Sequence, residues 1–203
     1  MKSLFILAVL TIVMLGTTQS SYADAFVFVA NLSGPAEAPP NASPGSGFTT
    51  VTYDNVAHTL RVQVTFSGLV APNTAAHIHS ATAVPGAGTA GVATSVPTFT
   101  GFPTGTTSGT YDNTFDLTLA SSWNPAFITA NGGTTATAEA AFFLGVSQGR
   151  AYLNIHSTQF PGGEIRGFLQ PAPEPATILL LGSGLAGLAS SVRRRRKAKN
   201  SQA

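Results

Sequence analysis

Hydrophobic and polar residues alternate with a period of two at 59–66, which is the clearest pattern in the chain. The apolar members of this stretch are Leu60, Val62, Val64 and Phe66. A strand with this alternation buries one face and leaves the other in water. A similar stretch at 48–53 precedes it across the turn-forming pair Asp54 and Asn55, so the two stretches predict a β-hairpin.

Shorter runs of β-branched and aromatic residues predict the remaining strands. They lie at 26–32, 75–80, 92–96, 115–119, 150–156 and 164–169. Two stretches favour helix instead: 123–128, which Ser121 and Ser122 could cap, and 135–144, which contains no glycine or proline. The Gly- and Pro-rich segment 81–109 predicts mostly loop. The whole pattern predicts an all-β fold, an antiparallel sandwich or barrel with one or two short helices.

The N-terminal residues 1–23 have the pattern of a secretion signal. Lys2 supplies a positive start, and 4–15 is an apolar core too short to span a bilayer comfortably. Small residues precede Asp24 and Phe26, so we predict cleavage by signal peptidase near one of them and an exported domain at 24–170. The alternative is that the segment is a buried core helix.

The other end of the chain is apolar as well, and its elements come in a particular order. A Pro-Glu-Pro motif is followed by 17 uncharged residues at 176–192 and by a basic cluster at 193–199. Seventeen residues is the short limit for a transmembrane helix. Because Lys and Arg beside a span stay on the cytoplasmic side, the preceding domain should lie outside the membrane. The motif is Pro173, Glu174 and Pro175, and the basic flank begins with Arg193, Arg194, Arg195 and Arg196.

This tail, 171–203, resembles the PEP-CTERM sorting signal of Gram-negative bacteria. The resemblance implies that an exosortase in the inner membrane recognises the Pro-Glu-Pro motif and cuts near it. The protein would then be anchored transiently in the inner membrane and released to the cell surface or beyond, often together with extracellular polysaccharide. The alternative interpretation of the same residues is a plain single-span anchor.

The net charge of the predicted domain differs in sign from that of the whole chain. The whole chain has 10 Lys and Arg residues against 8 Asp and Glu residues, a formal net charge of +2. Seven of those cations lie at position 2 or in the tail, which leaves the domain with three cations, seven acids and a net charge of −4. Nucleic-acid binding needs clustered cations that this domain lacks. The chain contains no cysteine, so packing or a metal, rather than disulfides, must stabilise the domain.

Candidate chemistry is concentrated in three triplets that have an isoleucine between two polar residues. They are His77-Ile78-His79, Asn154-Ile155-His156 and Glu164-Ile165-Arg166. On a strand, each isoleucine points to one face and its two neighbours point to the other. Three strands therefore contribute polar groups to one surface if they are adjacent, and 154–166 is expected to close as a hairpin through 157–163.

The same segments resemble the CHRD domain, the module named after chordin. The segments that carry the resemblance are 75–79, 151–156, 160–167, 32–40 with its Glu37, and 66–69. Together they cover roughly 26–170, almost the whole domain. The resemblance implies an immunoglobulin-like or superoxide-dismutase-like β sandwich or barrel. The biochemical role of the microbial members is undefined, so it implies no substrate.

The spacing of the histidines suggests a metal site. His-x-His on a strand presents two imidazoles to one side, as copper and zinc sites on β barrels do, and His156 with Glu164 could complete the ligands. The predicted ligands are therefore His77, His79, His156 and Glu164, with copper or zinc as the cofactor. The competing interpretation is that these groups bond to one another and to the backbone, with Glu164 paired to Arg166 or Arg150. His58, at a predicted turn, is expected to be a solvated loop residue.

Enzymatic templates find little support in the sequence. The chain lacks the disulfide and the His/Asp-rich zinc loop of copper-zinc superoxide dismutases, and it has no Gly-x-Ser-x-Gly elbow or phosphate-binding loop. Trp123, Tyr111 and Phe102 could form a sugar-stacking surface but are expected to pack in the core. We therefore predict a non-enzymatic structural or binding component of the cell surface, extracellular matrix or biofilm. The alternative is an extracytoplasmic metal-binding protein.

Overall fold

The computed structural model describes residues 25–172 and the single position 184. The predicted signal peptide, the Pro-Glu-Pro motif, the basic flank and, apart from position 184, the transmembrane helix lie outside these residues. Within the described part of the chain, no helix is both long enough and apolar enough to cross a bilayer.

The described residues form eight strands and two α-helices. The strands are β1 Ala25–Ser33, β2 Ser46–Asp54, β3 Thr59–Ser67, β4 Asn73–His79, β5 Gly109–Asp116, β6 Tyr152–Ser157, β7 Ile165–Phe168 and β8 Gln170–Pro171. The helices are α1 Pro125–Ala130 and α2 Thr135–Ser147, and single 3-10 turns occur at Gly34–Ala36 and Ala120–Ser122.

All eight strands belong to one antiparallel sheet that curls into a half-barrel. The strand order is β4-β6-β7-β1-β2-β3-β5, with β8 paired to β1. The all-β prediction is therefore confirmed as a mostly β, antiparallel fold with few helices. The described strands make a single curled sheet, so the two-layer immunoglobulin arrangement implied by the resemblance is not what the strand pairing displays.

The hairpin predicted from the alternation at 59–66 is confirmed. β2 and β3 pair along their full length, from Ser46 opposite Ser67 to Asp54 opposite Thr59. The four apolar side chains of β3 are buried, and their polar neighbours lie on the other face, as a period of two requires. The core between the sheet and α2 also contains Phe142 and Trp123, which meet edge to face with ring centroids 5.6 Å apart.

The segment 81–109 departs from the prediction. The strand expected at 92–96 is wrong, since Val92 and Thr94 form only isolated bridges. The segment covers the edge of β4 with side chains as well as backbone: the Thr94 and Thr98 hydroxyls accept hydrogen bonds from the backbone N–H groups of β4. Threonines thus occupy positions where a ladder partner would otherwise sit, which satisfies an exposed sheet edge without adding a strand.

Two other boundaries differ from the prediction for local reasons. The strand expected at 115–119 runs instead over Gly109–Asp116, because the Asp116 carboxylate accepts from the Thr118 backbone N–H and turns the chain. The first helix is capped by Asn124, whose side chain accepts from the Ala126 N–H, and not by Ser121 or Ser122. The second helix, α2, is confirmed and extends three residues beyond 144.

Candidate metal centre

The three strands that carry the polar triplets are neighbours in the sheet. β6 pairs with β4 on one side and with β7 on the other, so His77, Asn154 and Arg166 lie in one row across three strands. The predicted hairpin at 154–166 is thereby confirmed. The isoleucines of all three triplets are fully buried on the opposite face, which is the alternation that a period of two demands.

Three histidine side chains come together on this face of the sheet. His77, His79 and His156, the three-histidine cluster, each offer a ring nitrogen, and these nitrogens all lie within 4.8 Å of one another. The Nε2 atoms of His77 and His156 are 2.9 Å apart. These spacings bracket the roughly 3.3 Å that separates two nitrogens bound at 2.0–2.1 Å to one tetrahedral ion. Sequence reasoning named all three residues, and the fold brings them together.

The other nitrogen of every ring in the cluster bonds to a backbone carbonyl. His77 Nδ1 donates to Pro97 O at 3.3 Å, His79 Nδ1 to Ala90 O at 2.7 Å, and His156 Nδ1 to Pro161 O at 2.9 Å. A carbonyl can only accept, so each Nδ1 carries the proton and each Nε2 is left with a bare lone pair. Metal-binding histidines in proteins are oriented by the same kind of bond.

The surroundings keep these imidazoles uncharged. Burial lowers the pKa of His77 to about 3 and that of His79 to about 4, with the neighbouring histidines adding to the effect on His77. Burial also lowers the pKa of His156. A neutral imidazole is the form that binds a metal ion, so no ligand proton has to be displaced at neutral pH.

Three neutral rings in this arrangement leave lone pairs without a partner. His79 Nε2 is buried and makes no hydrogen bond, and the bare Nε2 atoms of His77 and His156 face each other at 2.9 Å. Two lone pairs at that distance repel unless a proton or a cation lies between them. The low pKa values oppose the extra proton, and a cation between the rings would remove the repulsion.

The fourth predicted ligand, Glu164, lies elsewhere. Its Oε1 atom accepts from the Ser43 hydroxyl and from the Val70 backbone N–H, both at 2.6 Å. Among the described residues, the group of His, Cys, Asp and Glu side chains that could hold a metal consists of the three histidines alone. Glu164 precedes β7, so the alternation that places Arg166 on the polar face does not extend to its carboxylate. It does not pair with Arg166 or Arg150 either.

The polar row continues into a buried pair that the sequence reasoning did not assign. Arg166 lies 3.8 Å from the Glu37 carboxylate, and its Nε and Nη1 atoms donate to Ala36 O and Gly88 O. Burial raises the pKa of Glu37 to about 7 against the lowering effect of Arg166. The signal was present in the sequence, because Glu37 belongs to one of the segments that resemble the CHRD domain.

The guanidinium of Arg166 is linked to the cluster through an aromatic ring. It lies 4.7 Å from the centre of the Tyr152 ring. Tyr152 in turn stacks on His79, with centroids 4.7 Å apart and ring planes within 6°. A buried cation therefore sits one aromatic ring away from a candidate ligand.

The remaining candidates play structural parts. His58 is half exposed at the β2–β3 turn, as predicted, and its Nδ1 bonds to Glu139 at 3.0 Å. Glu139 also accepts from the Tyr53 hydroxyl. The three aromatics considered for sugar stacking, Trp123, Tyr111 and Phe102, are all buried in the core.

Comparison with known protein families gives two matches. The family model of the CHRD domain matches residues 28–169, and that of the PEP-CTERM protein-sorting motif matches residues 171–196. None of the curated proteins and none of the solved structures compared with the chain matches it.

Proposed function

The chain belongs to the CHRD domain family, and from this premise we propose that it is an exported domain that binds a transition-metal ion at the three-histidine cluster. The PEP-CTERM motif marks the protein for export and for processing by an exosortase at the membrane, which agrees with a cell-surface or extracellular location. We propose further that the domain serves as a non-enzymatic component of the cell surface, extracellular matrix or biofilm, and that the metal site acts there.

The observation that carries the proposal is the meeting of three histidine rings, each with a ring nitrogen within 4.8 Å of one on the others. Each ring is held by an Nδ1–H bond to a backbone carbonyl, and the Nε2 atoms that face inward have no donor to accept from within the described residues, other than one another. Unsatisfied buried nitrogen atoms are costly. A bound cation satisfies all of them at once, whereas a purely structural cluster leaves the repulsion in place.

The donor set indicates which ions fit. Imidazole nitrogen suits copper and zinc, and oxygen-preferring ions such as magnesium and calcium are poorly served by it. Three protein ligands leave one coordination position for solvent or a small anion, as in catalytic rather than structural zinc sites. The site can thus hold an exchangeable ligand, although nothing in the arrangement supplies a dedicated acid or base beside it.

Metal analysis of the full chain tests this proposal. The protein, purified in detergent, is loaded with copper or zinc, desalted and analysed by mass spectrometry, with thermal melting before and after chelation. We expect one ion per chain. At an ion concentration of 1,000 times Kd, binding contributes about 4 kcal/mol, which corresponds to a rise in Tm of roughly 8–16 °C for a domain of this size.

Two variants separate the cluster from general histidine effects. The double variant His77→Ala/His79→Ala should lose the ion and the chelator-sensitive part of Tm. The variant His58→Ala removes the histidine that lies outside the cluster and should keep both. A wild-type chain that stays free of metal, with a Tm indifferent to chelator, would sink the proposal and favour the structural interpretation.

The sorting signal is tested separately in the cell. Replacing Pro173, Glu174 and Pro175 with alanine should leave the chain in the inner membrane, because the exosortase no longer recognises it. The control Pro171→Ala changes a proline just outside the motif and should be processed normally. Equal fractionation of the motif variant and the wild type would instead indicate a plain anchor. A glycan array with the wild-type chain tests association with extracellular polysaccharide.

A further inference from the structure

Building on the proposed metal site, we propose that the three-histidine cluster selects a monovalent ion, Cu(I), over the divalent ions Cu(II) and Zn(II). The inference concerns the charge of the bound ion, and it can fail while the metal site itself stands. It rests on the neutral donors of the cluster, on its burial and on the cation that lies beside it.

No negative charge is available among the ligands or among the groups that orient them. All three donors are neutral imidazoles, and their Nδ1–H groups bond to the carbonyls of Ala90, Pro97 and Pro161. Carboxylates in these second positions would raise the basicity of the ligands and offset the charge of a divalent ion. Glu164 does not belong to the cluster, and its Oε1 atom accepts from Ser43 and Val70. The net charge of the site is therefore the charge of the ion.

Burial makes that charge costly, and more so for a divalent ion. His77 is only 7 % exposed and His79 Nε2 is shielded from solvent, whereas His156 is partly buried. The cost of transferring an ion from water to a low-dielectric site grows with the square of its charge, so it is about four times larger for a divalent than for a monovalent ion of similar size. Among the described residues, the candidate ligand group contains no carboxylate that would offset the difference.

The position of Arg166 acts in the same direction. Its guanidinium lies against the Tyr152 ring, and Tyr152 stacks on His79. A like charge near a site disfavours the more highly charged occupant. Glu37, 3.8 Å from Arg166, offsets this only while it is ionised, and its burial opposes ionisation.

A divalent ion would have to bring its own counter-charge. The open fourth position could take hydroxide or chloride, and zinc bound with such an anion has the lower net charge that the site accepts. Selectivity for Cu(I) therefore predicts that any zinc binding depends on the concentration of a coordinating anion, whereas Cu(I) binding does not.

The experiment is a set of competition titrations on the full chain in detergent. Cu(I) affinity is measured without oxygen against a chromophoric Cu(I) chelator, and Cu(II) and Zn(II) affinities against chelators suited to each, with chloride varied at constant ionic strength. We expect Cu(I) to bind at least tenfold more tightly than Cu(II). Each tenfold preference raises the midpoint potential of bound copper by 59 mV above that of the free ion.

A matched pair of variants tests the electrostatic cause. Asn154 lies opposite His77 in the sheet register, and its Oδ1 atom is buried without a partner. Asn154→Asp adds one negative charge at nearly constant shape, and Asn154→Leu is the neutral control. With an effective dielectric constant near 20, a unit charge on the neighbouring strand changes the ratio of divalent to monovalent affinity roughly tenfold to hundredfold. The aspartate should strengthen Zn(II) binding and lower the copper potential, and the leucine should not.

The outcomes are distinct. Chains that bind no ion overturn the metal site and the selectivity together. Chains that bind Zn(II) or Cu(II) as tightly as Cu(I), without any anion dependence, overturn the selectivity and leave the metal site intact. The wild-type titrations decide this even if neither Asn154 variant folds.

Discussion

The neutral state of the buried imidazoles can be tested by the pH dependence of unfolding. Both His77 and His79 have a pKa lowered by burial, to about 3 and about 4, from an ordinary value of 6.5. As the pH falls below 6.5, these histidines take up protons in the unfolded chain but not in the folded one. The unfolded state is therefore favoured, and the free energy of unfolding decreases until the pH reaches the folded-state values.

The size of the effect follows from the two shifts. One pKa unit corresponds to 1.36 kcal/mol, and between pH 7 and pH 5 each histidine contributes nearly 2 kcal/mol of destabilisation. Together they should lower the free energy of unfolding by about 3–4 kcal/mol over this interval. That is a large share of the total for an ordinary domain.

The double variant His77→Gln/His79→Gln isolates this contribution, because glutamine does not titrate. Urea unfolding of wild type and variant is followed at pH 5, 6 and 7 with chelator present, using the fluorescence of the chain's one tryptophan, Trp123. The stability of the wild type relative to the variant should fall by about 3–4 kcal/mol from pH 7 to pH 5. His58→Gln, at the exposed turn, serves as the control for removal of a histidine.

A pH-independent difference between the double variant and the wild type would refute the reasoning. It would mean that the two imidazoles titrate alike in the folded and unfolded chains. Burial would then not be what keeps these rings uncharged below pH 6.5. Contributions from groups outside the cluster, including Glu37, are common to both proteins and cancel in the comparison.

Three further predictions use urea unfolding as the measurement. The pKa of Glu37 is raised to about 7, so the free energy of unfolding of the wild type falls as the pH rises from 4.5 to 7. Relative to wild type, the free energy of unfolding of Glu37→Gln should therefore rise by about 2 kcal/mol between pH 5 and pH 7. A difference between the two proteins that does not change with pH contradicts this prediction. Gly163→Ala should cost about 1–3 kcal/mol, since φ is +134° and its Cβ would lie 2.6–2.7 Å from two polar side chains, while Gly162→Ala meets nothing within 4 Å. Phe142→Ala should cost about 3–5 kcal/mol, against at most about 0.5 kcal/mol for the exposed Val56→Ala; similar losses in the two members of either pair would refute the packing argument.

Local patterns were sufficient for most of the secondary structure. The hairpin of β2 and β3 follows from alternation and a two-residue turn signal, both of which act between near neighbours in the chain. The same holds for α2, whose sequence at 135–144 lacks helix breakers. The prediction failed at 92–96, where the Thr94 hydroxyl bonds to the backbone of β4 and no ladder forms. Composition alone cannot distinguish a threonine on a strand from a threonine that caps an edge.

The sequence predicted which histidines belong to the candidate site, but it did not predict how they are arranged in space. The period of two in His77-Ile78-His79 and in Asn154-Ile155-His156 placed the polar groups on one face of each strand. Whether the two strands are neighbours depends on pairing across about 80 residues, for which the sequence contains no local signal. The Glu164 carboxylate bonds to Ser43 and Val70, two residues far away in the chain, and no local pattern in the sequence indicates these partners.

By itself, the sequence determined the features that act over short distances: which segments are strands and which face of each is apolar. It also determined that an apolar segment lies on each side of the domain and that a basic cluster follows the C-terminal one. Tertiary structure alone decided which histidine nitrogens are bare. The acceptors of the Nδ1 protons are carbonyls of Ala90, Pro97 and Pro161, and any residue can supply a carbonyl. The acceptors lie only 5 to 20 residues from their histidines, but the tautomer, the burial and the lowered pKa of each ring arise only when these loops fold back over the sheet, because hydrogen bonding and desolvation depend on neighbours in space.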